Sequence, residues 1–194
     1  MKWFSGTVAG FFLGIIGLLV FIAFRAGFHL PVQVDVFTDT PFGPHKIIFK
    51  EVVGPYHEVA PHITEVEEFA KAHGIICART FGYYLDNPSG VDHHRLRSHV
   101  GCLLESATDL THLTQNPEFE SHNYKVDEIK FNSYIMGAFD GSPALGAIKI
   151  YPKILKTALE NHLILNDKAF EIYEVKSSSK VRTLVIFEIL PSAG

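Results

Sequence analysis

The sequence lacks the patterns that mark most catalytic and nucleic-acid-binding proteins. Its net charge is −4, and it has no basic stripe and no long run of like charge. We therefore expect no nucleic-acid partner. It also has no phosphate-binding loop, no dinucleotide-binding glycine pattern and no G-x-S-x-G nucleophile motif. These absences exclude the common nucleotide-dependent and serine-hydrolase classes, and no cofactor is predicted.

Cysteine is scarce, and the histidines have no metal-binding pattern. Cys77 and Cys102 form neither a CxxC pair nor a disulfide framework. We interpret both as small hydrophobic residues on core strands, with a cross-strand disulfide as the alternative. His57 and His62 do not share one helical face, and no carboxylate or cysteine completes a ligand set at the usual spacing. No metal site is predicted.

Long charge-free hydrophobic runs are absent with one exception, residues 3–24, which Lys2 and Arg25 flank. A helix of this length spans roughly 33 Å, about the thickness of the bilayer's hydrocarbon core. The run predicts a single-pass signal-anchor over residues 1–25 in contact with lipid, followed by a juxtamembrane linker over 26–44. A cleaved secretory signal and a buried soluble helix are the alternatives. The flanking charges do not decide which side of the membrane the remainder faces.

Residues 45–190 are predicted to form one α+β domain of two strand-helix-strand-strand (βαββ) units. Period-2 and helical apolar spacings, bounded by Gly, Pro and Asn turns, define the elements. The predicted strands are 45–53, 75–84, 96–104, 124–131, 133–139, 170–175 and 181–190, and the predicted helices are 57–73 and 142–162. A polar, mobile connection is expected over 105–122.

Three short motifs follow one another in this domain. They are Val53–Tyr56 (VGPY), Phe81–Pro88 (FGYYLDNP) and Phe170–Tyr173 (FEIY). Together they resemble the GyrI-like effector-binding domain family over roughly residues 45–190. The resemblance implies a duplicated βαββ fold around a central cleft that binds small molecules.

The anchor, together with GYYLDNP and RLRSHVGCLL, resembles the membrane-anchored, testis-expressed ER-phagy receptor family. That resemblance implies an endoplasmic reticulum location with a cytosolic domain. In that family a long disordered tail carries the motif that binds autophagosomal proteins. No such tail follows the last predicted strand here, so we expect no receptor role that depends on it.

Glu171 is the leading site candidate. On a strand, Glu171 and Tyr173 point to one face while Phe170 and Ile172 point to the other. A carboxylate beside a phenol suits a cationic or polar aromatic ligand. The family resemblance implies that Glu171 binds lipophilic cations. In some family members a glutamate in the cleft acts as an acid or base that opens strained cyclopropane rings.

Tyr56, Tyr83 and Tyr84 are the remaining ligand-binding candidates. They are interpreted either as the aromatic wall of the cleft or as packing residues at strand ends. We favour a non-enzymatic module that binds a small lipophilic or cationic ligand. The alternatives are a hydrolase of reactive electrophiles, with Glu171 as general acid or base, and an adaptor that recruits a protein partner.

Overall fold

The computed structural model describes residues 3–104, 108–177 and 180–191. Its helices are α1 Trp3–Arg25, α2 Ala60–Ala72, α3 Thr111–Thr114, α4 Pro117–Ser121 and α5 Pro143–Glu160. Its strands are β1 Gln33–Phe37, β2 Phe42–Val53, β3 Arg79–Tyr84, β4 Arg97–Leu103, β5 Tyr124–Phe131, β6 Tyr134–Gly141, β7 Ile164–Ser177 and β8 Lys180–Leu190. Short 3₁₀ turns lie at Tyr56–Glu58 and His93–Arg95.

The eight strands form one antiparallel sheet in the order β1-β6-β8-β7-β3-β4-β2-β5. The first βαββ unit is β2-α2-β3-β4 and the second is β6-α5-β7-β8. The units join where β3 pairs with β7, and β5 and β1 extend the two outer edges. The α+β class and the order of elements in each unit agree with the sequence-based prediction.

Helices α2 and α5 pack on the same face of this sheet, each over its own unit. Val66 and Ala70 of α2 pack with Ile48 of β2, whereas Ile150 and Ile154 of α5 pack in a cluster on β6 and β8. Both helices follow the expected apolar spacing, which puts their buried residues on one stripe. The space between the helices lies over the β3–β7 junction, where the two units meet.

The opposite face of the sheet is filled by its own aromatic side chains. Phe81 and Phe170 are fully buried there, with ring centroids 5.1 Å apart. Phe42, at the start of β2, lies 6.0 Å from Tyr134 of β6 although these strands are far apart in the sheet. The sheet is therefore curled around an aromatic core on this face. A cavity lies on the other face, which carries the helices.

Three segments differ from the expectation. In the predicted linker 26–44, the alternating Val32, Val34 and Val36 could form a short strand, and β1 lies there and pairs with β6; β2 begins earlier than predicted, at Phe42. Within the expected mobile connection, α3 and α4 form short helices, while residues 105–107 lie outside the described part. Pro152 predicts a kink or a second helical start within 142–162, but helix α5 runs through it without a break. The exposed position of Pro152 leaves the carbonyl group freed by its missing N–H near water.

The interpretation of the cysteines as unpaired core residues is wrong. Cys77 and Cys102 form a disulfide with their Cα atoms 5.4 Å apart, and no free cysteine remains. Cys77 lies in the segment between α2 and β3 rather than on a strand. The packing of that segment against β4 brings the two thiols together, and sequence spacing does not encode such a tertiary contact.

Helix α1 contains 23 residues and is joined closely to the domain at its C-terminal end. Lys149 of α5 donates hydrogen bonds to the carbonyl groups of Phe28, at 2.8 Å, and Leu30. Within the described part of the chain, no helix is both long and apolar enough to cross a membrane. The anchor over 1–25 stays a prediction.

Candidate functional site

A cavity of about 1550 Å³ lies between α2 and α5 above the β3–β7 junction. It exceeds the range of roughly 300–1,000 Å³ that is usual for small-molecule sites. Its walls are mostly apolar and aromatic, and both βαββ units contribute to them. Glu171 lines it from the centre of the β7 segment.

Glu171 is only 5% exposed and accepts hydrogen bonds from two tyrosines. The hydroxyl group of Tyr151 on α5 donates to Oε1 at 2.7 Å, and that of Tyr173 donates to Oε2 at 2.5 Å. The hydroxyl of Tyr84 lies 3.3 Å from that of Tyr173. Since Tyr173 uses its proton for Glu171, Tyr84 is the donor in this pair. A helix and two strands therefore hold the carboxyl group in one orientation.

A glycine directly opposite Glu171 gives this network its space. Gly82 of β3 is the register partner of Glu171. A Cβ atom at Gly82 would lie 2.8 Å from the hydroxyl oxygen of Tyr84. Tyr84 is nearly buried and hydrogen-bonded, so a side chain at position 82 would displace it from the network.

Within the described part of the chain, no positively charged group balances the Glu171 carboxyl group. Burial raises its pKa above the ordinary 4.5, and the hydrogen bonds from Tyr173 and Tyr151 oppose that rise. Among the residues that the structure describes, no basic side chain is an ion-pair partner of Glu171. Burial also raises the pKa values of Tyr84, Tyr151 and Tyr173, so they are neutral donors near pH 7. A cation in the cavity would stabilise the carboxylate form of this buried group.

Tyr56 braces the rim of the cavity. Its ring centroid lies 4.6 Å from that of Tyr84. Its hydroxyl group donates to the Asp86 carbonyl at 2.9 Å and accepts from the Asp86 N–H at 3.0 Å. The Asp86 carboxylate in turn accepts from the guanidinium of Arg97 at 2.6 Å. The VGPY and FGYYLDNP motifs thus meet in space, and Tyr56 connects them.

The structure brings together four of the five predicted ligand-binding residues, namely Glu171, Tyr173, Tyr56 and Tyr84. Tyr83 lies on the opposite face of the sheet, 5.6 Å from Phe170 between ring centroids, and does not line the cavity. Adjacent strand residues face opposite sides, so Tyr83 and Tyr84 could not both line it.

Sequence reasoning missed Tyr151. Its only signal is its position on α5 next to Ile150, at the edge of the stripe that the helix buries. A polar-tipped aromatic residue at such an edge has an apolar ring and a hydroxyl group that needs a partner. That pattern flags a candidate but does not name Glu171 as the partner.

Solved structures share this fold. The C-terminal domain of EcmrR matches with a TM-score of 0.55 and 14% identity, over 83% of this chain and 99% of that domain. EcmrR in its DNA complex matches with a TM-score of 0.57 and 14% identity, over 95% of this chain and 68% of that one. An uncharacterized conserved protein from Listeria innocua matches with a TM-score of 0.52 and 9% identity, over 84% and 95%. No protein-family model and no curated protein matches. At these identities the likeness concerns the fold, which is consistent with the expected GyrI-like architecture.

Proposed function

We propose that this chain is a binding module for a small lipophilic cation, which enters the cavity between α2 and α5 and pairs with Glu171. The observation that carries the proposal is the buried Glu171 carboxyl group, which faces an apolar cavity and has no basic partner among the described residues. The shared fold with the EcmrR C-terminal domain is compatible with it.

Each part of the site has a role in this proposal. The cation would neutralise the carboxylate in a medium of low dielectric constant, where an unpaired charge is costly. The hydroxyl groups of Tyr151 and Tyr173 would keep both carboxyl oxygens oriented. The rings of Tyr84 and Tyr56 would offer π surfaces to a positively charged ligand. Affinity would then depend on charge as well as on apolar area.

Catalysis and adaptor function are less well supported. Both oxygens of Glu171 accept tyrosine hydrogen bonds, which favours a fixed charge over a group that transfers a proton in each turnover. No observation on the domain surface favours a particular protein partner. The resemblance to ER-phagy receptors stays a prediction. The matched solved structures do not bear on it.

Two ions of nearly the same shape and opposite charge test the proposal. Tetraphenylphosphonium should bind the full-length chain saturably, whereas tetraphenylborate should bind at least about tenfold more weakly because it would meet a buried carboxylate. Isothermal titration of both ions measures the difference. Equal affinities would indicate an apolar pocket without charge recognition and would overturn the proposal.

The affinity for tetraphenylphosphonium should depend on pH through Glu171. This ion carries a permanent charge, so its binding should weaken as the pH falls through the raised pKa of Glu171. The folding stability of the ligand-free protein should change with pH in the opposite direction to the affinity. Because the folded pKa lies above the unfolded value, protonation favours the folded state, and this group's contribution improves as the pH falls toward about 4.5. Titrations at several pH values check both trends, and affinity that stays constant to below pH 4.5 would contradict the assignment.

We also propose that α1 attaches the domain to a membrane. Large apolar side chains along it are exposed, including Phe11 (68%), Leu19 (60%) and Phe24 (61%), as expected of a surface that contacts lipid. The disulfide favours an oxidising, non-cytosolic side, unlike the cytosolic side that the ER-phagy resemblance implies. When the protein in a membrane sample is denatured, a thiol-alkylating reagent should therefore label its cysteines only after a reducing agent has opened the disulfide. Labelling of Cys77 and Cys102 without reductant would contradict this orientation.

A further inference from the structure

We infer that the side of α5 turned away from the sheet, its outer face, lies on an anionic lipid surface. This inference rests on the proposed attachment of α1 to a membrane and is independent of the cation site at Glu171. It adds a second contact with lipid. It also adds a preference for negatively charged lipid, which the charge-free run of α1 cannot supply.

The outer face of α5 carries a row of exposed apolar residues. They follow one another at intervals of four, three and four positions and so lie on one side of the helix. The members of this apolar row are Ile148 (68% exposed), Pro152, Leu155 (51%) and Leu159 (77%). The row is separate from the stripe, with Ile150 and Ile154, that the helix buries on the sheet. A helix packed on a sheet usually has a polar outer side, so an apolar one about 17 Å long indicates a contact surface.

A row of lysines runs beside the apolar row. Lys149, Lys153 and Lys156 each directly follow one of its members in the sequence, so they lie together along one flank of the helix. Glu160 is the only acidic residue of α5, and it lies 3.7 Å from Lys156 at the end of the helix. Apolar residues beside a row of lysines are typical of a helix that lies in the interface of an anionic membrane. The lysine row therefore favours lipid over an uncharged apolar partner.

The lysine row borders a shallow groove of about 440 Å³, and residues 30–32 form its other wall. Lys149 is held there by hydrogen bonds to backbone carbonyl groups of the segment that follows α1. Lys153 and Lys156 are exposed, and among the described residues Lys153 has no ion-pair partner. A lipid phosphate group in this groove would meet all three positive charges, while the apolar row would contact the acyl chains just below the headgroups.

The end of α1 lies beside the start of α5. The N–H of Ser142, the residue before α5, donates a hydrogen bond to the carbonyl group of Ala26 at 3.1 Å. Phe28 is 61% exposed, and its ring centroid lies 5.8 Å from the ammonium group of Lys149. The residues that follow the proposed anchor therefore contact the lysine row directly. A helix tethered in this way stays close to the bilayer, which raises its effective concentration at the lipid surface.

The test is a spin label on α5 in the full-length chain, reconstituted in vesicles of phosphatidylcholine with or without anionic phosphatidylglycerol. Since Cys77 and Cys102 form the disulfide and no free cysteine remains, one introduced cysteine takes the label. In anionic vesicles, Ile148→Cys should give a label that oxygen, which concentrates in lipid, reaches several-fold better than a water-soluble nickel complex does. Val53→Cys is the matched control, because Val53 of β2 is equally exposed (67%) on the other βαββ unit. Its label should favour the nickel complex in both kinds of vesicle.

Charge reversal tests the lysine row. In the Ile148→Cys chain, Lys153→Glu together with Lys156→Glu should abolish the lipid contact of the label in anionic vesicles. Lys71→Glu together with Lys130→Glu is the control, because it changes the net charge equally at exposed positions of α2 and β5. The control should leave the lipid contact unchanged.

Each outcome bears on a separate claim. Release of the chain from the vesicles by alkaline carbonate would overturn the attachment through α1 and, with it, this inference. A retained chain whose label at position 148 favours the nickel complex would overturn the inference alone. Equal lipid contact with and without phosphatidylglycerol would overturn the preference for anionic lipid. Spin–spin coupling between labels at position 148 would show that a second copy of the chain covers this face instead, and would also overturn the inference. Saturable tetraphenylphosphonium binding is measured separately and tests only the cation site.

Discussion

Replacing Glu171 with glutamine should lower the affinity for tetraphenylphosphonium by about thirtyfold or more. Removing one partner of a buried charge pair typically costs 2–5 kcal/mol of binding free energy, and about 1.4 kcal/mol corresponds to a factor of ten. Glutamine has the same shape, and its amide group can still form hydrogen bonds with Tyr151 and Tyr173. The variant should therefore fold and keep the cavity, and its binding should no longer depend on pH.

Glu174→Gln is the control for this prediction. Glu174 lies three residues along β7, on the opposite face, where it pairs with Lys176 at 2.9 Å. Its replacement removes the same charge from the protein but not from the cavity, so the affinity should stay within about twofold of that of the wild type. Isothermal titration compares the two variants. An unchanged affinity in Glu171→Gln would show that this carboxyl group does not recognise the cation.

Replacing Phe170 with alanine should lower the free energy of unfolding by about 3–5 kcal/mol, as is typical of a buried phenylalanine. Phe170 is fully buried, and its ring lies 5.1 Å from that of Phe81 and 5.8 Å from that of Phe131. The substitution opens a void in the aromatic core, which the curled sheet cannot close without losing other contacts. Chemical denaturation measures the loss.

Measuring cation affinity distinguishes the effect of Phe170→Ala from the effect of changing its neighbour in sequence, Glu171. Phe170 and Glu171 face opposite sides of β7, so Phe170→Ala should bind tetraphenylphosphonium normally under conditions where it remains folded. Phe170→Leu fills more of the void and should lose less than half as much stability. A loss below about 1 kcal/mol for the alanine variant would indicate that the core repacks, contrary to the expected rigid packing.

Local periodicity explains why the fold could be predicted from the sequence. Period-2 spacing of apolar residues marks β4, helical spacing marks α2, and the Ser142–Pro143 start signature marks α5. Short apolar runs between turn residues mark β2 and β8. The same alternation placed Glu171 and Tyr173 together. The alternation also excludes Tyr83 from the site that holds Tyr84, although both tyrosines were predicted to bind the ligand.

Contacts between distant elements explain what could not be predicted. The hydrogen bond from Tyr151 to Glu171 joins a helix to a strand across the cavity. The disulfide joins Cys77, before β3, to Cys102 on β4. Neither contact produces a periodic pattern in the sequence, because both depend on how helices and strands pack after they form. The curl of the sheet, which brings Phe42 to Tyr134, belongs to the same class.

The pairing of Gly82 with Glu171 has a consequence for how the two βαββ units can diverge. One unit supplies the carboxylate, and the other supplies an empty position in register with it. A mutation that gave position 82 a side chain would disturb Tyr84 and, through Tyr173, the carboxyl group itself. The two units are therefore not free to evolve independently at this junction. In a library that randomises both positions and selects for cation binding, the survivors should be dominated by glycine with glutamate.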